Sequence, residues 1–384
     1  MRLSRRAFLG TVALAASSPG ALAAADDRRL IVVVLRGGMD GLHAIPPLGD
    51  PDYASARGGL ALGRDGTTAL DATFALHPAL APLTPLWSAR ELSIVHAVAS
   101  PYRERSHFDA QDVLETGGVK AHALGDGWLN RALGGRSAMA VSQSPPLLLR
   151  GAAKATSWAP SPLPGLPAAQ VQALAALYAG DPLLANAFED GIQMEAFAAD
   201  ALADSPDMAG EARKKANSFP ALAAVTGRLM AAADGPKVVV MELGGWDTHT
   251  AQANRMAQPL TQLAEGIAAL AAALGPAWSK TILIAASEFG RTVAQNGTGG
   301  TDHGTAGAMI LAGGALAGGK VVTDWPGLDK AALHQGRDLR PTLDDRAVFK
   351  GVLKDHLGLS GAILDGTVFP DSAGVRALGG LVRG

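Results

Sequence analysis

The chain has 384 residues, 48% of them hydrophobic, and a formal net charge of −2. That near-neutral balance excludes a general nucleic-acid binder, which carries a basic excess, and the length allows one large α/β domain or two ordinary ones. Cysteine is absent, which excludes disulfides, thiolate ligands and a cysteine nucleophile, so any metal must be held by Asp, Glu, His and other oxygen donors.

Ser4-Arg5-Arg6-Ala7-Phe8-Leu9 is a twin-arginine signature, followed by a modest apolar stretch from Thr11 to Ser17. Ala21-Leu22-Ala23 supplies a small-x-small cleavage site. The expectation is a signal peptide over 1–25, export by the twin-arginine translocase, and a periplasmic or secreted mature chain over 26–384. Such substrates cross the membrane already folded, which agrees with a cofactor acquired beforehand. No later run approaches the ~20 apolar residues of a membrane span.

The run 30–35 is too uniformly apolar to face water on either side and predicts a buried strand. Residues 78–89 read as a short helix, 92–98 as a second strand, and a further helix begins near Ser106. PPLLLR, 145–150, reads as a third strand. The Pro-rich stretch from Trp158 to Pro167 is a linker or surface excursion. Ala-rich amphipathic helices over 168–178, 183–203 and 209–233 form an inserted layer or cap within a single α/β domain. The α/β pattern then resumes with strand 237–242, helix 253–274, strands 280–286 and 307–312, and a last helix over 344–357. No solenoid repeat is visible. Strands alternating with helices imply a mostly parallel sheet covered on both faces.

Three of these strands end in loops that mix glycine with acid or histidine: LRGGMDG around Asp40, ELGGWDTH with Asp247 and His249, and SEFGRT with Glu288. In an open α/β sheet the ligand crevice lies at the carboxyl ends of the strands. All three would therefore aim ligating groups into one crevice, with Asp302 and His303 of TGGTDHGTAG just beyond. Asp40 is equally a backbone-bonded turn residue or a first-strand metal ligand. Asp247 and His249, two apart, can bind one cation from the same side. Glu288 follows a buried strand, where a bare carboxylate is costly, so it is metal-bound or paired with Arg291. Arg291 itself fits an anion clamp, since a guanidinium fork matches phosphate or sulfate. Ser106 and Asp109 have the form of a capping box. The same position suits a nucleophile, with His107 ligating metal or moving a proton. His43, His77, His96, His122, His334 and His356 read as structural, His43 being set apart by its closeness to Asp40.

The twin-arginine leader, LRGGMDG, SHFDAQD, GGWDTH, SEFGRT with NGTGGTDHG, and LAGGALAGGKV together resemble a bacterial secreted family catalogued as domain of unknown function 1501, placed within the alkaline phosphatase/sulfatase superfamily. The resemblance implies a three-layer α/β/α sandwich that binds one or two divalent metals at the carboxyl edge of the sheet. On that pattern Asp40 matches the first-strand ligand and Ser106 the nucleophile. Asp247 and His249 match a later ligand pair, at unusually close spacing, and His303 the last histidine. Where the superfamily ends a strand in Asp-His, this chain has Ser287-Glu288-Phe289. Glu288 replaces the acid, but Phe289 cannot ligate, so the resemblance implies one oxygen-rich site or a degenerate one. The implied function is a hydrolase of phosphate or sulfate esters, small-molecule or polymeric, dependent on zinc, manganese, magnesium or calcium. The alternative is a non-catalytic secreted scaffold that retains the fold.

Overall fold

The computed structural model describes residues 27–161, 165–215 and 218–384. The twin-arginine motif and cleavage site, within 1–26, lie outside the described residues. Eleven strands are present among the described residues: β1 (Arg29–Leu35), β2 (Thr68–Ala69), β3 (Ala75–Leu76), β4 (Leu92–Ala99), β5 (Ala138–Val141), β6 (Thr156–Trp158), β7 (Val238–Leu243), β8 (Thr281–Ser287), β9 (Gly307–Ala312), β10 (Lys320–Val322) and β11 (Leu343–Asp344). β2 and β3 form a small separate hairpin, and the other nine make one sheet in the order β10-β4-β9-β8-β1-β7-β5-β6, with β11 added on β4. β1 pairs in parallel with β7 and β8. β9 alone runs antiparallel, against both β4 and β8.

β1 is buried along its whole length because it lies at the middle of this sheet. Its side chains alternate between two cores, as a pleated strand requires. Ile31, Val33 and Leu35 enter one core together with Leu263 and Ile267. Leu30, Val32 and Val34 enter the other together with Val348 and Phe349. The helices Phe219–Ala231 and Ala257–Leu274 cover the first face, and Trp128–Ala132 and Asp345–Asp355 cover the second. The architecture is therefore a three-layer α/β/α sandwich on a mostly parallel sheet.

Three readings of the sequence are corrected. PPLLLR is not a strand: Leu147–Leu149 is a 3-10 turn, because Pro145 and Pro146 bring no N–H to a ladder and Leu148 N donates instead to Glu115 Oε2 at 2.9 Å. The strands on that side are β5 and β6, too short and too rich in Ala, Ser and Thr to stand out. The segment 209–233 is divided into Pro206–Lys214 and Phe219–Ala231, and the second part starts with Pro near its first turn. Finally, the helical stretch Gln252–Lys280 has a mean hydropathy of 1.2, long and apolar enough to cross a membrane by length and composition. Here it is a core helix, with Leu260, Leu263, Ile267, Leu270 and Leu274 buried in the sandwich.

The helix Ala168–Tyr178 buries none of its residues, and Pro182–Ala201 buries only Ala198. The inserted helices dock at the β6 flank, where Lys154 pairs with Asp190 at 2.6 Å.

Candidate metal centre

Parallel β1, β7 and β8 deliver their carboxyl-terminal loops to one edge of the sheet. β9 runs the other way, so the segment that precedes it arrives at that same edge: Gly307 sits opposite Val98, near the end of β4. The chain leaving β4 returns across this edge into the helix His107–Thr116. Two local features lock the loops together. A Cβ on Gly37, whose φ is +125°, would meet Asp247 N at 2.7 Å, so only glycine lets these two loops approach so closely. Ser287 Oγ accepts from Met39 N at 3.0 Å and donates to Leu35 O at 2.7 Å, tying β8 to the turn after β1.

Three imidazoles and one carboxylate converge there. His303 Nδ1 lies 2.9 Å from Arg105 O, His249 Nδ1 3.2 Å from Asp302 Oδ1, and His107 Nδ1 2.7 Å from Glu288 Oε1. A carbonyl and two carboxylates only accept, so each Nδ1 carries its hydrogen. Asp302 and Glu288 are both held ionised. The Asn296 hydrogen bond, joined by His249, draws Asp302 below the usual carboxylate range. Burial pushes Glu288 upward, but hydrogen bonds from His107 and Gln111 hold it below that range.

With Nδ1 spent on an oxygen, a neutral imidazole presents a lone pair at Nε2. His249 Nε2 and His303 Nε2 are 3.0 Å apart, and they lie 3.0 and 3.4 Å from Asp247 Oδ1. His107 Nε2 is buried without a hydrogen-bond partner, 3.5 Å from Asp247 Oδ2. Electron pairs from four side chains thus face one another, which requires a cation among them, a proton or a metal. Ligand atoms around a tetrahedral metal with bonds of about 2.1 Å stand about 3.4 Å apart, and these spacings fit that set. His107, Asp247 and His303 offer ligand atoms within 4.8 Å of one another, and His249 adjoins two of the three. A histidine ligand that donates its second N–H to a carboxylate or carbonyl is the usual outer arrangement of a metal site. Asp247 and His249 are 44% and 42% exposed, so one side of the cluster is open to solvent. The hydrogen bond to Glu288 raises His107 above the ordinary histidine value despite burial, whereas burial lowers His303.

The residues expected to carry the chemistry sort into three groups. His107, Asp247, His249 and His303 meet. Glu288 and Asp302 do not join them as ligands: each stands behind an imidazole as its acceptor. Asp40 is separate. It is buried at 1% exposure and accepts from Arg57 at 2.6 Å, Gln252 at 2.7 Å and, as a helix cap, His43 N at 3.1 Å. Its carboxylate turns inward because a buried guanidinium is there to neutralise it. Arg291 is also buried, and each of its three guanidinium nitrogens donates: Nη1 to Asp247 Oδ1 at 2.6 Å, Nε to Thr301 Oγ1 at 3.2 Å, and Nη2 to Thr301 O. It orients Asp247 and does not pair with Glu288. Ser106 occupies the cap position of the helix His107–Thr116 but makes no side-chain cap bond. Asp109 accepts from Tyr102 Oη at 3.2 Å, so the capping box does not form.

At this edge Phe289 offers no ligand atom, and His107 enters the cluster from a different segment. The Phe289 ring packs 4.8 Å from His107 and 5.1 Å from His303, an apolar wall beside both. Sequence reading missed Gln111, Gln252, Thr301 and Arg57. Only Gln111 carried a signal, lying four residues after His107 on the same helical face. His43 and His96 are buried and pushed down to about 4 by burial, as structural histidines.

A family model described as Protein of unknown function (DUF1501) matches residues 87–369. No curated protein matches the sequence. Among solved structures, the chain is similar to the C-terminal periplasmic domain of EcEptC from Escherichia coli in complex with Zn, with 10% identity, coverage of 74% of this chain and 73% of that one, and a TM-score of 0.35.

Proposed function

The chain belongs to the DUF1501 family, and from that premise we propose a metal-dependent hydrolase that acts on phosphate or sulfate esters after export through the twin-arginine translocase. One observation carries the reading: three imidazoles have Nδ1 tied to an oxygen and Nε2 turned toward Asp247 at the carboxyl edge of the sheet. His107, Asp247, His249 and His303 would hold one divalent ion, zinc being the best match to so nitrogen-rich a set. A divalent ion bound there supplies Lewis acidity toward an ester oxygen. Arg291 and Thr301 hold the Asp247 carboxylate in place, and Glu288 and Asp302 hold the rings of His107 and His249. Ser106 is the proposed nucleophile. Its hydroxyl is not engaged in capping, and it directly precedes the ligand His107 at a helix N-terminus, where a developing negative charge is stabilised.

Elemental analysis of the exported protein is the test. Near-stoichiometric divalent metal is expected in the wild type and loss of it in the Asp247→Ala/His303→Ala double variant, with circular dichroism unchanged. Ser106→Ala should keep the metal and lose turnover of aryl phosphates and sulfates. A folded wild type that takes up no zinc, manganese, magnesium or calcium overturns the proposal.

A second reading, a non-catalytic metal-holding scaffold, draws on a separate observation. Arg291 and Arg36, the guanidinium groups in the loops that follow β8 and β1, are both committed to carboxylates: Asp247 for the first, Glu115 and Glu242 for the second. Metal-loaded protein with no turnover in a broad phosphatase and sulfatase screen would select this reading.

A further inference from the structure

Asp247 is shared between the metal cluster and a cleft of about 470 Å³ that opens beside it. Arg36, Arg255, Gln258 and Gln262 line the cleft, above the Gly244–Gly245 pair that follows β7. A volume of this size lies in the range of small-molecule sites. Apart from Pro259 and the two glycines, the lining residues carry polar or charged side chains, which suits a ligand with hydrophilic groups. A Cβ on Gly244 would meet nothing within 4 Å, so the floor is open main chain. Gln258 and Gln262, four residues apart on the helix Ala257–Leu274, share one face and offer amide donors and acceptors toward hydroxyl or carbonyl groups.

The two cations differ. Arg36 is held by Gln111, Glu115 and Glu242 at 2.9, 2.9 and 2.5 Å. Arg255 is exposed, donates from Nη1 to Thr250 Oγ1 at 3.0 Å, and among the described residues has no carboxylate paired with it. It therefore brings an unneutralised guanidinium to the wall of a cleft that Asp247 also lines.

We propose that this cleft recognises a small hydrophilic ester bearing a second anionic group, which Arg255 binds while the ester group lies at the His107–Asp247–His249–His303 cluster. The inference rests on the ester-hydrolase reading and adds a substrate class and a specificity residue to it. A guanidinium–carboxylate pair in a half-open cleft corresponds to about a tenfold difference in affinity.

The test is calorimetric titration of zinc-loaded protein with phenyl phosphate and with 4-carboxyphenyl phosphate, which needs no turnover. The carboxylated ligand should bind the wild type about tenfold more tightly. Arg255→Ala should erase that difference and leave phenyl phosphate binding unchanged, and Arg255→Lys should restore part of it. Equal binding of the two ligands to wild type, unaltered in Arg255→Ala, overturns the role of Arg255 and leaves the hydrolase reading standing. Failure of both ligands to bind a zinc-loaded wild type overturns the two together.

Discussion

Asp40 and Asp247 are both aspartates in glycine-rich loops at the end of a central strand, yet their environments assign them opposite work. Asp40 is sealed against Arg57, both at 1% exposure or less, and spends its oxygens on Arg57, Gln252 and the cap of a short helix. Asp247 is 44% exposed and meets Arg291 from one side and imidazole nitrogens from the other. A buried guanidinium seventeen residues downstream of Asp40 could not be paired with it from spacing, because that contact depends on how the helix Tyr53–Arg57 packs. The same limit applies to Glu288: its place beside the site was legible, but not that it faces the back of His107. Because Glu288 sets the tautomer of that ring, Glu288→Gln is expected to weaken metal binding by about 10–100-fold without unfolding the protein. Competition for metal against a chelator reads this directly, and an unchanged affinity would refute the orienting role.

The strands of the interior were legible as elements because they are long apolar runs, and β1, β4, β7, β8 and β9 fall within about a residue or two of where hydrophobicity puts them. β5 and β6 were missed, since runs of three or four residues are too short to carry a periodic signal. The direction of β9 was likewise hidden: an apolar run reads the same whether its neighbours run with it or against it. That direction matters most for the site, because only an antiparallel β9 lets the segment before it bring His303 to the crevice. The approach is held by a tight pairing in which Gly290 N donates to Thr305 O and Gly304 N to Gly290 O, both at 2.9 Å, and Arg291 bridges His303. A Cβ on Gly290 would lie 1.9 Å from Ala306 O. Gly290→Ala should therefore force the two segments apart, lowering stability by about 1–3 kcal/mol and weakening metal binding together. Denaturant unfolding and metal titration of the same variant test this, and loss of neither would show that the pairing tolerates displacement.

At the scale of the whole molecule, burial sets opposing pH limits. His43 and His96 are pushed down to about 4 by burial, from an ordinary 6.5. Between those values the unfolded chain takes up protons that the native state refuses, so stability rises with pH. Asp345 behaves in the reverse sense, pushed up to about 8 from 3.8 by burial and by the neighbouring Asp344 charge. The native state then holds a proton that the unfolded chain has released, and stability falls as pH rises toward 8. Two histidines outweigh one aspartate below pH 6.5, and above it Asp345 acts together with His107, whose raised value works in the same direction. The thermal midpoint should therefore peak near pH 6.5 and decline toward pH 8, with Asp345→Asn flattening the alkaline side. A wild-type midpoint that holds level from pH 6.5 to 8 would contradict the buried protonated carboxyl. The sequence by itself determined the α/β class, a sheet covered on both faces, and the loops in which the ligating residues lie, because apolar runs and glycine–acid–histidine clusters are properties of neighbouring residues. Tertiary structure alone decided which of those residues meet, that His107 joins them from the segment after β4, and that Arg291 is consumed in holding Asp247, because side-chain direction and strand polarity are set by contacts between segments far apart in the chain.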